Sequence, residues 1–177
     1  EDSMYDSILK ASQAYSSGNY VECAKHLLKV DKDSLPSTTA KNLYTSMKDK
    51  AFQNAAAQLY NSGKASFDAY KYQDALDDLE QSYKYDKSYN TEYHIAMCYK
   101  YLNKNTDKAQ EYFYDIINNS GDSELIRKAA NLGLDMVINS AKEAAAKAKG
   151  GSTTTDSKSD TTSSSDSSTS KKSSTKS

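Results

Sequence analysis

The chain has no tryptophan, one proline, six glycines and two cysteines in 177 residues. With so little proline and glycine, and with alanine, lysine, glutamine and leucine filling the middle of the chain, the composition favours helix over sheet. Cys23 and Cys98 lie far apart. They lack the paired spacing of a metal site and are too few for a disulfide framework, so two buried, reduced thiols are expected, with one long-range disulfide as the alternative. An excess of charge is also missing. Lys and Arg number 23 against 24 Asp and Glu, so no global field favours nucleic acid, anionic lipid or an acidic substrate. No apolar run approaches the ~20 residues that span a bilayer. The chain begins with Glu1, which is compatible with a signal peptide, lipid anchor or membrane helix upstream.

Chemistry-bearing patterns are scarce too. His26 and His94 are the only histidines, and neither has metal-ligand spacing. No phosphate-cradling glycine loop and no serine elbow occurs. Asp74, Asp77, Asp78 and Glu80 spread over several turns of a solvated helix face. No catalytic residue, metal ligand or cofactor site is therefore expected, and an enzyme is not.

What is present is helical periodicity, broken at short intervals by turn residues. Helices are expected from about 3 to 16, 20 to 30, 73 to 85, 91 to 102, 106 to 118 and 123 to 147. Between the second and third of these, Pro36 stops a helix and Ser37 is the N-cap of a long one. In it Ala40, Tyr44, Met47, Ala51, Ala55 and Leu59 recur every three or four residues, to about Ala69. From Gly150 the chain is almost wholly Ser, Thr, Lys and Asp, so 1–149 is expected as one helical domain and 150–177 as a disordered tail.

Antiparallel helix pairs at a regular spacing point to a repeat array, because one hairpin cannot bury its apolar face alone. Gly18-Asn19-Tyr20 followed by Ala24, then Leu59, Gly63, Tyr72, Ala75, Leu79 and Ser82, then Ile95-Ala96, Tyr99, Ala109, Phe113 and Ile116 resemble the tetratricopeptide repeat family over about residues 4 to 140. The departures are a missing proline after the second helix of units two and three, Ser12 near an expected glycine, and the insertion 37–54. The resemblance implies an all-α solenoid of about three units closed by a C-terminal capping helix, polar on its outer face.

Fifteen tyrosines accompany only three phenylalanines. Tyr83 with Tyr85, Tyr99 with Tyr101 and Tyr112 with Tyr114 are two apart, about 200° around a helix, so both members of a pair cannot enter one core. The resemblance places Tyr60, Lys64 and Asp68 beside Tyr93, Met97 and Tyr101 in a concave groove. There they either bind a protein or peptide partner or pack between repeats. It also implies a non-catalytic interaction module, similar to bacterial extracytoplasmic members of the family; the cysteines fit a cytoplasmic chain equally. A structural spacer, or a homo-oligomer joined through the stripe at 40, 44, 47 and 51 of helix 37–69, is the alternative.

Overall fold

The computed structural model describes residues 3–150, and among them the chain is all-helical. Seven α-helices follow in order: α1 Met4–Ser16, α2 Tyr20–Leu28, α3 Thr38–Asp68, α4 Tyr72–Tyr85, α5 Tyr89–Leu102, α6 Thr106–Asn119 and α7 Ser123–Gly150. A 3-10 turn, Lys32–Ser34, precedes α3. The tail expected over 150–177 lies outside the described residues, apart from Gly150 at the end of α7. Residues 1–141 form the compact unit considered below, with 142–177 as a separate one.

Local chemistry sets the boundaries. Ser3, Asn19 and Ser37 cap α1, α2 and α3, each side-chain oxygen accepting a backbone N–H three residues on. Such caps supply partners to the otherwise orphaned first N–H groups. Four helices are followed by a left-handed residue, which lets the chain turn back at the helix end; after α6 it is Gly121, at φ 69°. Gly18 does this after α1 at φ 74°, Tyr70 after α3 at φ 61° and Asn103 after α5 at φ 52°. Asn105 repeats the left-handed geometry at φ 48°. That makes the turn from Leu102 to Ala109 from two asparagines, a residue type that tolerates this region.

Helix α3 is continuous over 31 residues and serves two cores. Its front half packs on α1 and α2, where Ala40, Tyr44, Met47 and Ala51 join Ile8, Cys23 and Leu27 in one buried cluster. The stripe at 40, 44, 47 and 51 is thus filled from within the chain and is not free to form a seam between copies. The rear half pairs antiparallel with α4. Ser82 Oγ donates to the Ala56 carbonyl at 2.7 Å, and Gly63 faces Ala75 and Leu79. A second cluster, built on Leu79, Ile95, Tyr99, Phe113 and Ile116, runs from α4 through α7. Phe52 and Tyr85, with ring centres 5.3 Å apart, link α3 to the end of α4.

Both cysteines are free and buried. Burial pushes the Cys23 thiol up to about 11 and that of Cys98, with Glu80 adding to the effect, up to about 12. Neither is a nucleophile near neutrality. In two of the three tyrosine pairs one ring is buried or half-buried and the other exposed: Tyr99 against Tyr101 and Tyr112 against Tyr114. Tyr83 and Tyr85 are both half-buried.

One expectation fails. The outer face of α7 is not polar: Leu134, Val137 and Ile138 are all exposed. They sit three and four residues apart, so they form one stripe over a turn of helix. The polar character read from 140 onward begins only after that stripe.

Candidate functional site: an aromatic surface on α3 and α5

The rear half of α3 and the whole of α5 lie side by side and parallel. Tyr60 meets Asn90 and His94, while Phe67, two turns on, meets His94 and Tyr101. Residues three, four and seven apart share a helix face. Tyr60, Lys64, Phe67 and Asp68 therefore form one edge of this surface, and Asn90, Tyr93, His94, Met97 and Tyr101 the other.

His94 is the hub at the inner end. Its ring stands edge-on to Tyr60, Phe67 and Tyr93 at 5.7, 5.5 and 5.4 Å. Nδ1 lies 2.8 Å from the Asn90 carbonyl, which can only accept, so Nδ1 carries the proton and Nε2 is the acceptor in the neutral ring. Burial lowers the His94 pKa, opposed by the Asn90 carbonyl; Lys64 lowers it further, Asp68 raises it, and Lys128 of α7 lowers it. The imidazole stays neutral at physiological pH, with no field strong enough to charge it.

The expected residues fall into two groups. Tyr60 and Tyr93 are half-buried: Asn90 Nδ2 donates to Tyr60 Oη at 2.8 Å, and Tyr93 packs on Phe113. Burial raises the pKa of both phenols. Lys64 and Asp68 pair with each other at 3.1 Å on the exposed rim. Met97 is half-buried on the same face. Tyr101 is exposed and stacks on Tyr72 at 4.8 Å with 21° between the ring planes. Phe67 stands against both rings, and Tyr70, 80% exposed, extends the cluster beyond Tyr72.

Four of these participants, Phe67, Tyr70, Tyr72 and His94, are absent from the six residues expected from sequence. The signal for Phe67 was present, seven residues after Tyr60. Tyr70 and Tyr72 belong to the turn and the start of α4, and only the three-dimensional path of the turn brings them to Tyr101.

Tyr70 occupies the helix-ending position that glycine fills after α1. A bulky residue in the left-handed region is strained. Its ring buries almost nothing, so packing does not offset the strain. Tyr70→Gly is expected to raise stability by roughly 0.5–1 kcal/mol in urea unfolding; a loss of that size would mean that the Tyr70–Tyr72 contact outweighs the strain.

A buried acid lies behind this surface. Glu92 on α5 is 2% exposed and shares a hydrogen bond with Asp115 of α6, which also accepts from Asn119 Nδ2 at 2.7 Å. Burial first, then the Asp115 contact and charge, push the Glu92 carboxyl up to about 8. Glu92 therefore keeps its proton at neutral pH and donates it to Asp115. Tyr83 of α4 faces the pair, and burial together with the Glu92 charge pushes its phenol up to about 12. Tyr99 Oη donates a short hydrogen bond to Glu80, tying α5 to α4.

His26, the other histidine, borders an open cleft of about 430 Å³ with Glu22 and Tyr85, and its Nε2 lies 3.9 Å from Glu22. Among the described residues no three His, Cys, Asp or Glu side chains converge as a metal site would require. No helix among them is long and apolar enough to cross a membrane. No family model matches this chain, and no curated protein or solved structure matches it.

Proposed function

We propose that the chain is a non-catalytic binding module of the tetratricopeptide type, which holds a peptide or helix of another protein across the aromatic surface of α3, α5 and the start of α4. The observation that carries this reading is the cluster of Phe67, Tyr70, Tyr72 and Tyr101. Tyrosine gives a large rigid contact area with a polar tip at small entropic cost, and such residues dominate binding energy where they gather. Here they gather at a turn held in a strained conformation, with two of the rings left exposed rather than folded into the core.

The rim charges support recognition by ring faces rather than by ion pairing. Lys64 pairs with Asp68, Lys128 with Glu124 and Lys100 with Asp135, at 3.1, 3.3 and 3.9 Å. A partner with a long run of one charge gains little from such a rim, so affinity should change little with salt.

The test is a peptide library selected on the full chain. Peptides so obtained should lose at least about tenfold in affinity for a chain carrying Tyr72→Ser and Tyr101→Ser, with an unchanged helical circular dichroism signal. Selected peptides that bind this variant as tightly as the parent would place recognition elsewhere on the molecule.

A further inference from the structure

Among the described residues, two apolar openings lie at the ends of the compact unit. One lies between α1 and the start of α3, a cleft of about 390 Å³ with Tyr5, Leu9 and Leu43 on its walls. The other lies between α6 and α7, about 290 Å³, with Tyr114, Leu134 and Val137 on its walls. These residues are exposed in both places, Leu9 at 58% and Leu134 at 59%. Single exposed apolar side chains are ordinary, but two clefts with raised rims of leucine, valine and tyrosine are not.

The two openings complement each other. On α7, Leu134, Val137 and Ile138 form a ridge; on α1, Tyr5 and Leu9, four apart, form another. Each ridge borders its own groove, so each end offers both a ridge and a groove for ridge-into-groove packing of helices. Charge follows the same pairing. Arg127, the only arginine of the chain, is exposed on α7 two turns before Leu134 and in line with it. Asp6 is exposed on the rim of the α1 cleft. The sequence 151–177 contains no aliphatic or aromatic residue and so offers no apolar side chain suited to such a groove.

We propose that copies of this chain associate head to tail, the α6/α7 end of one seated on the α1/α3 end of the next. A second copy fills both openings with one kind of contact, and because the joined surfaces differ, the contact repeats into a ring or filament instead of stopping at two chains. The partner-binding surface on α3 and α5 involves other residues, so each copy keeps it.

Sedimentation of the full chain from micromolar to millimolar concentration tests this. The mass should climb past that of a dimer, and Leu9→Glu or Leu134→Glu should each abolish association while leaving the helical signal and melting curve intact, since both side chains are exposed. An equimolar mixture of the two variants should form dimers and nothing larger, because each supplies the end the other lacks. Asp6→Arg and Arg127→Asp should each weaken association about tenfold, and a chain carrying both should recover it. A parent that stays monomeric throughout, a Leu134→Glu chain that dimerises by itself, or a mixture that does not pair would each overturn the proposal. The first result would leave the two clefts to a different protein, the second would make the contact symmetric.

Discussion

Gly63→Ala is expected to destabilise the chain by roughly 1–3 kcal/mol, although alanine is the better helix former by about 1 kcal/mol. A Cβ at this position of α3 would stand 2.8 Å from Leu79 Cγ and 3.2 Å from the Ala75 carbonyl oxygen. Neither neighbour yields easily. Leu79 is fully buried and Cγ is the branch point of its side chain, while the carbonyl belongs to the backbone of α4. The two helices must move apart, which also stretches the Ser82 hydrogen bond to Ala56 a little further along the same seam. Gly133 is the control. A Cβ there would meet Phe113 Cβ at 3.7 Å, an ordinary contact, so Gly133→Ala should be neutral or stabilising by up to about 1 kcal/mol. The urea unfolding midpoint should therefore fall for Gly63→Ala and hold or rise for Gly133→Ala; a rise in both would show that propensity and not helix approach decides.

Stability should also fall as pH rises from about 4.5 to about 8, by on the order of 3 kcal/mol, and Glu92→Gln should remove the fall. The Glu92 carboxyl in the folded chain holds its proton up to about 8, against a usual value of 4.5. Between those values the unfolded chain has released a proton that the folded chain keeps. The contribution is thus fully present below 4.5 and is lost as the pH passes through 8. Glutamine keeps a neutral N–H donor toward Asp115 and cannot ionise. Near pH 5 the variant and parent should unfold within about 1 kcal/mol of each other, and at pH 8 the variant should be the more stable, melting higher by roughly 5 °C. Identical pH profiles for the two proteins would mean that the acid is solvated or that Asp115 has turned away.

Most of the helical framework was legible because its signals are local. Ser37 was recognisable as a cap from its place before a periodic run, and its side chain does accept from Ala40. The single long helix was legible from the same run, since nothing from Ala40 to Ala69 breaks it. Gly63, Ala75 and Ser82 could be read as close-approach positions from their size and spacing. The missed features are those whose meaning depends on a distant element. Glu92 sits three residues before Ile95 and seven before Tyr99, squarely on the buried stripe, and it is tolerated there as a neutral carboxyl whose hydrogen-bond partner, Asp115, arrives from α6. His94 carries no signal beyond that of an ordinary surface or packing residue, and only the parallel course of α3 and α5 adds the rings of Tyr60 and Phe67 to that of its neighbour Tyr93. The apolar stripe of α7 is masked in the sequence by the alanine and lysine run that follows it.

The division of α3 between two cores has a consequence for synthesis. The first cluster draws only on residues from Ile8 to Ala51, with Phe52 at its edge. Every contact in it joins parts of the chain made early, and short loops close fast and at small entropic cost. Once the middle of α3 has left the ribosome, the front of the molecule can already be closed, and the helix standing out from it is a ready template. α4 then folds back along that template, and each later helix meets a surface that is already in place.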